Sequence, residues 1–331
     1  MLAVLVTKSF QEADKEILEE GIKENCKLIY PEEYTEKCIK ELVGDADVLL
    51  GNLITKDILD NAKRLKLIQI PWTGVDFLDF DLLKKYNYTI CNSHSNALIV
   101  AEHAVALMFD IAKKLSFHDM MLRKGIWNRI YDNTGLSPFS TKIFNSSITI
   151  IGYGAIGKQI KKLLSGFQAY FNIVDASNIE ITDENSRYFH PNNIKQALKD
   201  ADIVFVTVPL TNKTKGMVNE QFLNYMNNKG MLINISRGEV INEEDLFTAL
   251  KINLIKGAAI DTWFNYPNAN NKNVLPSKNY PFQKLNNIVM SPHRAGYIEG
   301  ELPHLYDAIE NLNNLALGKK LINIVSIENK Y

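Results

Sequence analysis

The stretch Ile148-Thr149-Ile150-Ile151-Gly152-Tyr153-Gly154-Ala155-Ile156-Gly157-Lys158 decides the fold. An apolar run passes directly into three glycines in Gly-x-Gly-x-x-Gly spacing, and a helical pattern follows from Lys158 to Leu164. Each glycine has a mechanical task at this spacing. Gly152 allows a tight turn, Gly154 lets backbone approach a pyrophosphate, and Gly157 permits close packing of helix on strand. The helix amino terminus then receives phosphate charge. An isolated glycine turn would carry little weight, but here strand, turn and helix agree. The next apolar run, Asn172-Ile173-Val174, ends in Asp175, 18 residues beyond Gly157. A carboxylate there accepts hydrogen bonds from ribose hydroxyls and repels a 2′-phosphate, which selects NAD over NADP. Ala176-Ser177-Asn178-Ile179 has no Lys or Arg to rescue that phosphate.

Outward from this unit, apolar runs alternate with helical patterns in both directions. Ser147–Ile151, Tyr170–Val174, Ile203–Val208, Met231–Ile235, Ala258–Asp261 and Ile288–Met290 form one series of expected strands. Leu2–Val6, Lys27–Tyr30, Asp47–Leu50, Leu67–Ile70 and Thr89–Cys91 form another, with helical stretches such as Glu12–Lys23 and Pro31–Val43 between them. Continuous apolar strands separated by helices predict parallel sheets covered on both faces, hence an α/β protein with two doubly wound parallel-sheet domains. Asn96–Lys114, rich in Ala, Leu, Val and Met, predicts one long buried helix between the two series. Beyond Pro292 a helix is expected from about Ile298 to Leu317 and a last extended piece at Ile322–Ser326. Asn265–Asn279 reads as a long surface loop.

Composition narrows the partners. The 331 residues are 46% hydrophobic and 23% charged with a net charge of −1, so no positive field is available for a nucleic acid or an anionic membrane surface. A small-molecule substrate is therefore expected. Cys26, Cys38 and Cys91 lie far apart without a Cys-x-x-Cys pair, which supports neither a disulfide framework nor a metal site, and predicts thiols in the cytoplasm. The apolar start of the chain is stopped by Lys8, short of a signal-peptide core, and no uncharged run reaches the roughly 20 residues that span a bilayer.

Further motifs come in a recognisable order. They are Val208-Pro209-Leu210-Thr211 with Thr214 and Asn219, Leu232 to Val240 around Ser236-Arg237-Gly238, Gly257 to Asp261, and Ser291-Pro292-His293-Arg294-Ala295-Gly296. Upstream, Thr73-Gly74-Val75-Asp76 and Asn96 with Val100-Ala101-Glu102-His103 also match. On these residues the chain resembles the D-isomer-specific 2-hydroxyacid dehydrogenase family over nearly its whole length. The resemblance implies a Rossmann NAD domain, 98–292, inserted into a flavodoxin-like substrate domain made of 1–97 and 293–331, with substrate in the cleft and a homodimer formed around the NAD domain. It implies NAD held by Gly152, Gly154, Ala155, Ile156, Gly157, Asp175, Pro209, Ser236 and Asp261. It also implies that Arg237 binds the substrate carboxylate and carbonyl, that His293 is the acid/base, and that Gly74, Val75 and Asn96 bind substrate.

Chemistry asks for the same residue types. Hydride delivery to a carbonyl carbon builds negative charge on oxygen, so a proton donor that titrates near neutrality and a fixed cation both help. Arginine's planar fork can engage the carboxylate and ketone of a 2-oxo acid together. A surface ion pair is the ordinary fate of an arginine like Arg237, and a core or capping role that of a histidine like His293. Both nevertheless lie at strand ends, where ligands bind in doubly wound folds. For His103, inside the long helix, a structural role is expected. Trp72 and Trp263 flank the site motifs. The sequence departs from the family at Tyr266, in Asp261-Thr262-Trp263-Phe264-Asn265-Tyr266-Pro267, where the family has the Glu that hydrogen-bonds the catalytic histidine. A phenol can orient an imidazole but cannot stabilise imidazolium as a carboxylate does. The leading expectation is an NAD-dependent oxidoreductase acting on a small 2-oxo acid or D-2-hydroxy acid. A formate-dehydrogenase-like enzyme, which needs no proton relay, and a non-catalytic NAD(H)-sensing interaction protein are the alternatives.

Overall fold

The computed structural model describes residues 1–129, 139–180, 182–299 and 302–331. The chain divides into two compact units, Met1–Asn96 with Tyr297–Tyr331, and Ala97–Gly296. The second break falls after Gly296, so His293 to Gly296 belong to the inserted unit and not, as the sequence suggests, to the outer one. The physical cause is local. Ala295 is buried in the apolar core of the inserted unit, and the Asp261 carboxylate accepts hydrogen bonds from the amides of Arg294 and Ala295.

The first unit is built on strands β1 (Leu2–Val6), β2 (Cys26–Ile29), β3 (Val48–Leu50), β4 (Leu67–Gln69) and β5 (Thr89–Cys91). They form one parallel sheet in the order β2-β1-β3-β4-β5. Leu5, Leu49 and Ile68 pack in a core on one face, while Val4, Val6, Val48 and Leu50 pack on the other. Burial on both faces is why these strands read as unbroken apolar runs. The chain's last helix, Leu305–Ala316, covers the second face with Leu305, Ala308, Ile309 and Leu312. It starts later than the periodicity predicts, because Pro303 has no N–H to donate into a helix reaching back to Ile298. Residues 300 and 301 of that predicted span lie outside the described residues. The extended piece near Ile322 makes one antiparallel bridge, Cys91 to Ile324, beside β5.

The second unit carries β6 (Ser147–Ile151), β7 (Tyr170–Val174), β8 (Ser186–Phe189), β9 (Ile203–Val206), β10 (Met231–Asn234), β11 (Gly257–Ile260) and β12 (Ile288–Met290). All pair in parallel in the order β12-β11-β10-β9-β6-β7-β8. Val204, Val206, Leu232, Ala258 and Ile260 bury on one face, and Ile148, Ile150, Phe205, Ile233 and Ala259 on the other. Strand β8 escaped the sequence. It is an edge strand with one neighbour and is only partly buried, so Ser186-Arg187-Tyr188-Phe189 needs no apolar run. The long helix runs Ala97–Lys113 and ends where Lys114 turns left-handed, with φ 56°, before a second helix, Leu115–Arg123.

Candidate active site

Strand order reverses about β6, which lies between β9 and β7, and ligands bind in such folds at the carboxyl ends beside that switch. The glycine turn stands there. Gly152 has φ +91°, and a Cβ on it would stand 3.0 Å from the Thr207 carbonyl that follows β9. A Cβ on Gly157 would lie 2.3 Å from the Gly152 carbonyl oxygen, so only glycine lets the helix Ala155–Leu164 start this close to the strand. At Gly154, the N-cap, nothing stands within 4 Å of where a Cβ would be, leaving open the cradle that a pyrophosphate requires. Thr207 ties β9 to the turn by donating from Oγ1 to the Gly152 carbonyl at 2.6 Å. Asp175, at the end of β7, accepts the Tyr153 amide at 2.7 Å and the Ser177 amide at 2.8 Å, which fixes its carboxylate over the turn. Pro209, past the end of β9, is exposed, and its carbonyl accepts from Thr214 Oγ1. The donor set thus fits a dinucleotide: free space at the turn, a helix N-terminus, and one anchored carboxylate.

Three adjacent strands, β10, β11 and β12, present the remaining residues of this unit at the same ends. Beyond β10, the buried Asn234 organises the turn: its Oδ1 accepts the Ser236 amide and hydroxyl, and its Nδ2 donates to the Arg237 carbonyl and Thr262 Oγ1. Arg237 is half-buried and donates from Nη1 to the Ser236 carbonyl at 2.8 Å. Asp261, directly after β11, is fully buried. Its Oδ1 accepts from Ser291 Oγ and the Arg294 amide, and its Oδ2 accepts from the Ala295 amide. His103 Nε2 stands 3.0 Å from Ser291 Oγ and 3.6 Å from Asp261 Oδ1. Burial pushes the Asp261 carboxyl up, but the nearby His103 imidazole and the hydrogen bonds from Ser291 and the two amides outweigh it and hold the group at about 2.

His293 follows β12 with an exposed side chain and a left-handed backbone, φ 53°. That conformation costs a residue with a Cβ about 1–2 kcal/mol and persists only where the surroundings over-determine it. The capture of the next two amides by Asp261 supplies that constraint. The Tyr266 ring stands against the His293 ring, with centroids 5.5 Å apart and planes at 57°. The Tyr266 hydroxyl oxygen accepts the Trp263 amide at 3.0 Å. Trp263 itself is core, and its indole N–H donates to the Ser291 carbonyl at 2.7 Å.

In the first unit, the turn after β4 holds Gly74 and Val75. Asn92 Nδ2 donates to the Thr73 carbonyl at 2.6 Å, and Thr73 Oγ1 lies 2.8 Å from the Ser93 carbonyl and 3.2 Å from Asn96 Oδ1. Among the described residues no acceptor takes the amide hydrogens of Gly74 or Val75. Sequence reasoning missed the polar supports Asn92, Asn234 and Ser291. A lone Asn inside the apolar run Leu232-Ile233-Asn234-Ile235 was the available signal for one of them.

The turn at the switch point makes the second unit a Rossmann-type dinucleotide-binding domain, and the groups at the neighbouring strand ends give it the means for oxidoreductase chemistry. Comparison with known proteins agrees. Residues 105–295 match the model of the D-isomer specific 2-hydroxyacid dehydrogenase NAD binding domain. The chain is 30% identical to a glyoxylate reductase of Thermofilum pendens over 262 residues, covering 76% of this chain and 73% of that one. It is 26% identical to a D-3-phosphoglycerate dehydrogenase of Methanocaldococcus jannaschii, covering 99% of this chain and spanning 60% of that longer protein. A crystal structure from Pyrococcus horikoshii superimposes with a TM-score of 0.79 at 25% identity, covering 100% of this chain and 99% of that one. The chain belongs to the D-isomer specific 2-hydroxyacid dehydrogenase family.

Proposed function

We propose that this protein is an NAD-dependent dehydrogenase that interconverts a small 2-oxo acid and the corresponding D-2-hydroxy acid. The observation that carries the proposal is the placement of Arg237 and His293 at strand ends of the sheet whose switch point holds the dinucleotide turn. Bound NADH supplies the hydride. As the carbonyl carbon is reduced, His293 donates a proton to the carbonyl oxygen, and Arg237 balances the charge on that oxygen and on the carboxylate. In the first unit, the Gly74 and Val75 amides and Asn96 are assigned to the substrate carboxylate. The Tyr266 ring orients His293 without adding the negative charge that a Glu would bring. Gly152 to Gly157, Asp175, Pro209 and Ser236 would hold the dinucleotide. Asp261 is assigned to the cofactor as well, and the same carboxylate holds Ser291 and the Arg294 and Ala295 amides.

The same proposal includes a homodimer and a cytoplasmic setting. In the second unit Leu115, Met120, Leu122, Trp127 and Phe139 are exposed, with Trp127 at 65%, apolar side chains that a second copy would cover. Cys26, Cys38 and Cys91 are free thiols, as a reducing compartment keeps them. Among the described residues no helix is long and apolar enough to cross a membrane.

NADH absorbance followed with a panel of 2-oxo acids, and NAD reduction followed with formate and D-2-hydroxy acids, tests the activity. Arg237→Ala should raise KM and lower kcat, whereas His293→Ala should chiefly lower kcat, by roughly 100- to 10,000-fold. Full reductase activity in His293→Ala would overturn the acid/base assignment. Formate oxidation surviving in that variant would transfer the assignment to a formate-dehydrogenase-like enzyme. Light scattering of the native protein and of Trp127→Glu tests the dimer, and a monomeric native protein would refute it.

A further inference from the structure

His103 lies on the helix Ala97–Lys113, far in sequence from His293, yet its ring nitrogen ends inside the network beneath His293. We propose that His103 is a positioning residue for His293, acting through Ser291 and Asp261. The inference rests on the proposed role of His293 as proton donor.

Proton counting sets the direction of each bond. The Ser291 hydroxyl has one hydrogen, and the buried, ionised Asp261 takes it. Ser291 Oγ must then accept from His103 Nε2 at 3.0 Å, which requires the proton on that nitrogen. With the Ser291 rotamer fixed, Asp261 Oδ1 is shared between Ser291 and the Arg294 amide, and Oδ2 is left for the Ala295 amide. The Ser291 carbonyl is held separately by the Trp263 indole. The segment is therefore pinned on both sides of His293: at Ser291 before it, and at Arg294 and Ala295 after it. His293 is thereby kept in its left-handed conformation, and the direction of its imidazole follows. Removing the His103 donor frees the Ser291 hydroxyl to rotate and loosens the carboxylate that holds the two amides.

The test uses the full-length protein with 15N labelling and three variants, His103→Leu, His103→Gln and Ser291→Ala. The amide resonances of Arg294 and Ala295, NADH affinity by fluorescence, and kcat and KM for 2-oxo acid reduction are measured in each. In His103→Leu the two amides should lose the downfield position that a carboxylate acceptor imposes. Its kcat should fall on the order of 10- to 100-fold, as a small misplacement of a reacting group does, while NADH affinity stays within about twofold. Gln, whose side-chain N–H can replace Nε2–H, should restore both the resonances and most of kcat. Ser291→Ala should reproduce His103→Leu, and it carries the test alone if the leucine variant does not fold. Unchanged amides and kcat in His103→Leu, a glutamine variant no better than leucine, or a loss confined to NADH affinity would each overturn the proposal. A native protein inactive on every 2-oxo acid would instead remove the proposed reaction, with the amide resonances still deciding whether His103 positions the loop.

Discussion

Replacing Asp261 by Asn should destabilise the protein by an amount that depends on pH in a defined way. The carboxyl sits at about 2 against an ordinary 3.8, because two backbone amides, the Ser291 hydroxyl and His103 reward its charged form more than burial penalises it. At about 1.4 kcal/mol per pH unit, that difference amounts to roughly 2 kcal/mol of folding free energy. A group whose folded value is depressed stabilises the fold at pH above its unfolded value and loses that contribution as pH falls through the folded value. The term should therefore be complete above about pH 5, near half its size at about pH 3, and almost gone below about pH 1. Asn adds a second, pH-independent cost. Its amide has one acceptor oxygen, so its NH2 group must face an N–H, and the unsatisfied donors cost a further 1–3 kcal/mol or so. The expected deficit of Asp261→Asn is thus about 3–5 kcal/mol near neutrality, shrinking by about 1 kcal/mol at about pH 3. Urea unfolding of both proteins from about pH 3 to 7, followed by circular dichroism, measures it. A deficit below about 1 kcal/mol at neutral pH, or one that does not change on acidification, would refute the network drawn around this carboxylate.

Three further outcomes are expected. NADH should be preferred to NADPH by about 100-fold or more in kcat/KM, since Asp175 is anchored by the Tyr153 and Ser177 amides and cannot swing away from a 2′-phosphate; equal values would contradict this. Tyr266→Glu places a carboxylate against the His293 ring and should move the alkaline fall of 2-oxo acid reduction upward by about one pH unit, read from kcat/KM between about pH 5 and 9; an unchanged profile would mean that the residue at this position does not act on the histidine. Of the three thiols, the partly exposed Cys38 should react readily with an aromatic disulfide in the native protein. Buried Cys26 and Cys91, the latter pushed up to about 12 by burial, should react only on unfolding; rapid titration of all three would contradict the packing of β2 and β5.

What the sequence by itself determined is whatever rests on local pattern. Runs such as Leu2–Val6 and Ile148–Ile151 are apolar throughout because a parallel strand is buried on both faces, so both sheets were legible strand by strand. Gly152 and Gly157 were legible because a turn and a close helix contact tolerate no side chain there, Gly154 because a bare backbone leaves the cradle open, and Asp175 because its spacing from them is fixed by one helix and one strand. The motifs around Arg237 and His293 were legible as a resemblance. Tertiary structure alone decided the rest. Strand β8 exists because β7 offers it an edge, a property of the neighbour and not of Ser186–Phe189. His293 to Gly296 join the inserted unit because Asp261, more than 30 residues earlier, captures the amides of Arg294 and Ala295. The motif containing Asp261 suggested a cofactor contact; that the same carboxylate also holds Ser291 and the amides of Arg294 and Ala295 was decided by the fold. His103 meets Ser291 across 188 residues of chain. A hydrogen bond between side chains so far apart leaves no periodicity or spacing in the sequence; it forms only when the long helix packs beside the ends of β11 and β12.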